Sequence, residues 1–284
     1  MKYSKCFSAK YNLSIVGILF SLLLAIPAMA EVNKSPVAEE KRALTLGFFP
    51  IISTVALYKR FGPLAKYLSE ELNRPVLLKT AKNFPTFVKR TKQRAYDIAI
   101  TAPHFAVKAN DSGAYNIRAT LISNVQQLVV VQKQSSISSI TELSGRLVST
   151  PPQKALMTKM GKDMFRTAGL SGDLAPMYKS FTSHNAANEA VLAGETVAAI
   201  ASSNVIKKSL KRGDALKIIG KGLEFPNMAT IIAADIDKKI GSKVVDVLVN
   251  MKQTEKGRAV LKKISFPGYR PVKAEEYEVV RPYL

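Results

Sequence analysis

Apolar and polar positions along this chain fall into short blocks of two kinds. Apolar runs at Leu44–Phe49, Val76–Thr80 and Tyr96–Ile100 read as buried strands. Between them the apolar residues take helical spacing. Leu57, Phe61, Leu64, Leu68 and Leu72 line one face of a helix that Gly62-Pro63 should kink or divide, and Phe84–Gln93 predicts a second helix. Strand–helix–strand–helix–strand with short loops predicts a parallel sheet with right-handed crossovers. Ile117–Ile122 and Gln127–Val131 add two strands. The Ser- and Gln-rich segment Gln134–Ser139 then reads as a crossing into a fresh series. That series runs strand Arg146–Ser149, helix Ala155–Ala168 after Pro151-Pro152, strand Pro176–Ser180, and helix Asn185–Ala193 closed by Gly194. Strand Thr196–Ala201, helix Asn204–Lys211 and strand Leu216–Ile219 complete it. Phe225-Pro226-Asn227 reads as the return crossing, and the apolar Met228–Ala234 as a strand rejoining the first sheet. Helices at Lys238–Met251 and Glu255–Lys262 follow, and the Pro- and Tyr-rich tail Phe266–Leu284 should wrap the first domain.

The expected fold class is therefore α/β, with two lobes. Residues 31–132 with 226–284 form lobe I, and residues 133–225 form an inserted lobe II. Residues 1–30 read as a secretory signal peptide. Lys2, Lys5 and Lys10 form its basic start, Ile15–Ile26 its apolar core, and Ala28-Met29-Ala30 its cleavage site. The apolar core is too short for a comfortable membrane span, so the expected location is the periplasm, with the membrane reached only through a partner. Glu31–Arg42 reads as a flexible lead-in.

The cysteine count and the charge narrow the chemistry. Cys6 is the single cysteine and lies before the cut, so the mature chain has no disulfide, thiolate nucleophile or Cys-based metal site. The chain carries 42 Lys and Arg against 21 Asp and Glu, a net charge of +21. Removing residues 1–30, with their three lysines, leaves +18. Such a field attracts anions without naming one. The lysines are spread along the chain and Trp is absent, so no dedicated nucleic-acid module is expected. Two His without neighbouring carboxylates make no metal site, and no cofactor is expected. The motifs of nucleotide-binding loops, zinc proteases and serine hydrolases are missing, so no catalytic residue is assigned.

The stretch Ala95–Phe105, AYDIAITAPHF, carries the clearest site signal. A buried strand stops in a polar loop and a helix starts near His104. In an open α/β sheet that junction faces the ligand crevice, with free helix N–H groups pointing into it.

Taken in order, LTLGFFPIIST, YDIAITAPHFAVKA, ITELSGRLVST and SHNAANEAVLAGETVAAIASSN resemble the PhnD-like substrate-binding proteins of phosphonate-type ABC importers across nearly the whole mature chain. The resemblance implies the type II periplasmic-binding-protein fold, with two α/β lobes on a two-strand hinge closing over an oxyanion. It implies capture of a phosphonate, phosphite or phosphate-type ligand and delivery to an ABC permease. The same fold can instead serve as a sensor docking on a membrane histidine kinase. A monomer is expected. Thr101 through His104 occupy the family's lobe I contact loop, and Ser149 and Thr150 its main oxyanion loop. His184 matches a recurring His in the Ser183–Asn188 loop. The chain departs from the family at Pro151-Pro152-Gln153-Lys154, where two backbone donors are lost, and at Asn185 and Val197–Ala201, where aminophosphonate binders carry acids. An amine-bearing ligand is not expected.

The candidate ligand-binding residues are Ser53, Thr54, Asn83, Thr101, His104, Ser149, Thr150, Ser183, His184 and Asn185. Ser53, Thr54 and Asn83 could equally cap the helices they precede, as could one of Ser183, His184 and Asn185. If His104 and His184 both donate to one anion, affinity should rise as pH falls through the ordinary histidine range near ~6.5.

Overall fold

The protein is described by a computed structural model over residues 42–284. The proposed signal peptide, Cys6 and all of the lead-in except Arg42 lie outside the described residues. The described residues belong to one compact unit.

The first half begins as the periodicity predicts. Strand β1 (Leu44–Phe48), helix α1 (Thr54–Leu72), β2 (Val76–Lys79), α2 (Phe84–Lys92), β3 (Ile98–Thr101), α3 (Pro103–Asp111) and β4 (Tyr115–Leu121) follow in order. Strand β1 lies between β2 and β3, parallel to both, with Leu44 opposite Val76 and Leu46 opposite Ile98. Helix α1 is a single helix that runs through Pro63 rather than dividing there. Its buried face, Leu57, Phe61, Leu64 and Leu68, packs on the sheet, with the Phe61 ring stacked on Phe48 at 3.8 Å between centroids.

The chain then leaves this sheet earlier than its hydropathy suggests. Strand β5 (Asn124–Gln132) pairs with β8 (Ala198–Ser202) and β9 (Leu216–Pro226), not with the first sheet. The lobe boundary at 132/133 is therefore corrected to the short link at Ile122-Ser123, and Gln134–Ser139 is a turn within the second half. The reason is edge occupancy. β4 is already flanked by β10 (Ala229–Ala233) and β11 (Tyr269–Pro271), so the next strand finds no free edge there. The second sheet has the order β7-β6-β8-β5-β9, from β6 (Leu147–Thr150) and β7 (Met177–Ser180). It carries helices α4 (Leu156–Thr167), α5 (His184–Leu192) and α6 (Ser203–Lys211).

β10 returns to the first sheet between β3 and β4, antiparallel to both. Helices α7 (Lys238–Asn250) and α8 (Glu255–Ile264) pack on the core beneath α1 through Val244, Leu248, Leu261 and Ile264. The tail reaches further than the first sheet. After β11, a 3-10 segment at Ala274–Tyr283 places the Tyr277 hydroxyl on the Asn227 carbonyl at 2.9 Å, beside the return crossing. It ends against α4, where Lys159 donates to the Tyr283 carbonyl at 2.6 Å and the Tyr283 hydroxyl to Asp163 at 3.0 Å. Among the described residues no helix is long and apolar enough to cross a membrane.

Candidate functional site

The carboxyl ends of β1 and β3 meet those of β6 and β8 across a cavity of about 270 Å3. From the first sheet come the loop Phe49–Ile52, Arg60 on α1, Phe84 at the start of α2, and the junction Ala102-Pro103. Val125, Phe225, Asn227 and Met228 contribute where the chain passes between the sheets. The second sheet supplies Pro152, Ala155, Leu156 and Met157, then Thr182–Asn185, then Ser202, Asn204, Val205 and Lys208. Open α/β sheets put ligands at this end because the loops there are free to diverge while the strands hold them rigidly.

Helix caps mark the same place. Helices α1, α2, α5, α7 and α8 begin on Ser53, Asn83, Ser183, Asp237 and Thr254, and each of those side chains accepts from the first turn. Helices α3, α4 and α6 begin on Ala102, Ala155 and Ser202 without any side-chain cap, and all three residues line the cavity. An uncapped first turn presents donors with no intrahelical partner and the positive end of the helix dipole. Three such turns face the cavity, and in α3 Pro103 carries no N–H and Phe105 N is bonded to Ala102 O at 3.0 Å, which leaves His104 N as its donor.

Two cations join them. The Arg60 guanidinium is anchored by two donations to the Ile264 carbonyl, at 2.9 and 2.8 Å, and among the described residues makes no ion pair. Lys208 lines the same cavity from α6, and among the described residues it has no acidic partner. Burial lowers the pKa of both groups, and the Arg60 charge depresses Lys208 further. Among the described residues lining the cavity, none is Asp or Glu. This is an uncompensated positive site, and an anion placed between Arg60 and Lys208 would relieve their mutual repulsion.

The residues expected from sequence divide. Ser183, His184 and Asn185 line the cavity. Ser183 is spent as the α5 cap, accepting from Ala186 N at 3.0 Å. His184 is half-buried, its Nδ1 enclosed without a partner, and burial lowers its pKa to about 4. Ser53, Thr54 and Asn83 stand off the cavity, and Ser53 and Asn83 cap their helices with bonds of 3.4 and 2.9 Å. Thr101 is buried beneath the junction, its hydroxyl unpartnered, and does not reach the cavity wall.

His104 is likewise buried behind the wall, 2% exposed, with its ring on Phe105 at 3.9 Å between centroids. Burial first, then the charge of Lys159, lowers its pKa to about 4. The Lys154 carbonyl partly opposes this and Lys108 adds to it, and neither ring nitrogen has a well-formed hydrogen bond.

Ser149 and Thr150 turn inward. The Ser149 hydroxyl donates to Ala187 O at 2.7 Å and to Ala198 O at 3.2 Å, and that of Thr150 to Pro151 O at 3.0 Å. Thr158 and Ser180 donate to that same Pro151 carbonyl, at 3.0 and 3.1 Å. The hydroxyls of this loop stabilise the loop itself, and the residues it turns to the cavity, Pro152 and Ala155, are apolar. Arg60 and Lys208 carry no local signal that sets them apart among 42 basic residues. The sequence signal for the site that could have been used is an Ala standing where a capping residue belongs, at 102 and 155.

The chain matches the family described as "ABC transporter, phosphonate, periplasmic substrate-binding protein" over residues 46–277. Its fold is shared with PhnD1 from Prochlorococcus marinus in complex with methylphosphonate. There the TM-score is 0.74 at 17% identity, covering 85% of this chain and 96% of the other. A binding protein component of an ABC phosphonate transporter from Pseudomonas aeruginosa superposes with a TM-score of 0.72 at 14% identity, covering 86% and 85%. A Xanthomonas citri protein bound to ATP gives 0.70 at 14% identity, covering 85% and 99%. The architecture is thus the two-lobed, type II periplasmic-binding-protein fold. With the family match running from β1 into the C-terminal segment, the chain belongs to the phosphonate-type periplasmic substrate-binding proteins of ABC transporters, which bind rather than transform their ligands.

Proposed function

We propose that this protein captures a small phosphorus oxyanion, of phosphonate, phosphite or phosphate type, in the cleft between its lobes and delivers it to an ABC permease. Residues 1–30 direct it to the periplasm and are removed there. The observation that carries the reading is the convergence of three uncapped helix N-termini with Arg60 and Lys208 on one cavity free of acidic side chains. Charge-assisted hydrogen bonds contribute about 1.5–3 kcal/mol each, so a few of them support micromolar binding after the cost of ordering. The two links at residues 122–123 and 227–228 are the natural hinge, since they join the sheets without belonging to either. His184 and Asn185 are the polar contacts from lobe II, and the first turn of α3 offers the His104 backbone N–H from lobe I, since Pro103 has none and Phe105 N is bonded to Ala102 O. The mature protein acts as a monomer.

The test is calorimetric titration of the mature protein with methylphosphonate, phosphite, phosphate and sulfate, alongside thermal shifts. A ligand at one hundred times its Kd stabilises the native state by about 2.7 kcal/mol, so a selective rise in Tm is expected. Indifference to every oxyanion, with uptake of a sugar or an amine instead, would overturn the proposal.

A further inference from the structure

An oxyanion accounts for only part of this cavity. The charge resides on Arg60 and Lys208, close enough for one to depress the other. Much of the remaining wall is apolar. Phe49 and Phe84 stack there at 4.4 Å between centroids with 28° between planes, and Phe225, Leu156 and Met157 belong to the same apolar cluster. The loop after β6 makes this wall apolar actively. Thr150, Thr158 and Ser180 all spend their hydroxyls on the Pro151 carbonyl, so Pro152 and Ala155 are what the cavity meets. Its volume, about 270 Å3, approaches the ~300 Å3 lower end of sites that enclose whole organic molecules. A bare tetrahedral ion would leave aromatic and aliphatic surface facing water inside the closed cleft, which is unfavourable.

We infer that the ligand is a tetrahedral phosphorus oxyanion bearing a bulky apolar substituent, with a ring-sized group lying against Phe49 and Phe84. The inference rests on the anion-binding reading above. The same wall disfavours an ammonium substituent twice over, since no carboxylate lines the cavity to pair with it and Arg60 and Lys208 repel it.

The experiment is calorimetric titration of the mature protein with phenylphosphonate, phenyl phosphate, methylphosphonate and 2-aminoethylphosphonate. Burying roughly 100 Å2 of ring surface corresponds to an affinity gain of tens-fold. Phenylphosphonate is expected to bind at least tenfold more tightly than methylphosphonate, and 2-aminoethylphosphonate more weakly than either. Phenyl phosphate separates a phosphonate preference from an ester preference while sharing the ring. In Phe84→Ala the ratio of phenylphosphonate to methylphosphonate affinity should fall at least fivefold. The wild-type ratio decides the matter even if that variant does not fold. Methylphosphonate binding as tightly as phenylphosphonate, or 2-aminoethylphosphonate binding best, overturns the inference and leaves the anion site intact. Failure of all four to bind overturns the anion site as well.

Discussion

Lowering the pH should destabilise this protein through both of its histidines, whose pKa values in the folded chain lie at about 4, and the share that belongs to His104 follows from its burial. In the folded chain the ring is buried, 2% exposed, against Phe105, and its pKa lies at about 4. In the unfolded chain it returns to ~6.5. The unfolded state therefore binds the proton more readily. The stability His104 contributes is complete above pH ~6.5 and is lost as pH falls toward about 4. Each unit of separation amounts to about 1.4 kcal/mol, so the full loss is ~3 kcal/mol and the loss by pH 5 is ~2 kcal/mol. For a chain of this size that shift is about 4–8 °C in Tm.

Urea unfolding of wild type and His104→Leu at pH 7.5 and pH 5 isolates the term, because carboxylates common to both proteins cancel in the difference. The variant should lose about 2 kcal/mol less than wild type over that interval. The comparison survives any change in absolute stability from the substitution itself. Equal losses in the two proteins, or a ring proton of His104 titrating near 6.5 in the folded state, would refute the reasoning.

Other outcomes follow from the same geometry. Lys208→Met should weaken binding of a phosphorus oxyanion by about 10- to 100-fold in calorimetry, since it removes one of the two cations that line the cavity. The pH dependence of binding should differ from that of two freely titrating histidines. An anion beside His184 raises its pKa from about 4, so affinity climbs as pH falls below the raised value and levels off near the lower one, which an inert sulfonate titrated across pH 4–8 would reveal. Ser149→Ala should cost about 1–2 kcal/mol in urea unfolding and leave ligand affinity within twofold, because its hydroxyl bonds Ala187 and Ala198 rather than the cavity. Gly161→Ala should cost about 1–3 kcal/mol, since a Cβ there would stand 2.5 Å from Ile200 Cδ1 where α4 presses on β8.

The fold was legible where local pattern and global packing agree. Leu57, Phe61, Leu64 and Leu68 repeat at helical spacing because α1 lies along a sheet, and Met228–Ala234 is apolar at every residue but Thr230 because β10 is buried between two neighbours. It was illegible where the outcome depends on which edges are already taken. Nothing local distinguishes a strand that pairs with β4 from one that departs for another sheet, and β5 departs because β10 and β11, far ahead in the chain, occupy both sides of β4.

The site divides along the same line. Hydroxyls after strands are common to caps, loop braces and ligand contacts, and here Ser53 and Asn83 cap, while Ser149 and Thr150 brace. What a ligand leaves in the sequence is an omission. A helix that must reserve its first turn for an anion gains nothing from a capping side chain competing for the same N–H groups. Ala102 and Ala155 are such omissions, and Ser202, a residue well able to cap, leaves α6 uncapped in the same wall. The cations obey a related logic. Arg60 sits beside Phe61 on the edge of the buried face of α1, where a guanidinium can hold the Ile264 carbonyl and still face the cavity. Among 42 basic residues that position is visible only once the helix has a partner across the cleft, because unpaired charge is a property of two elements and not of one.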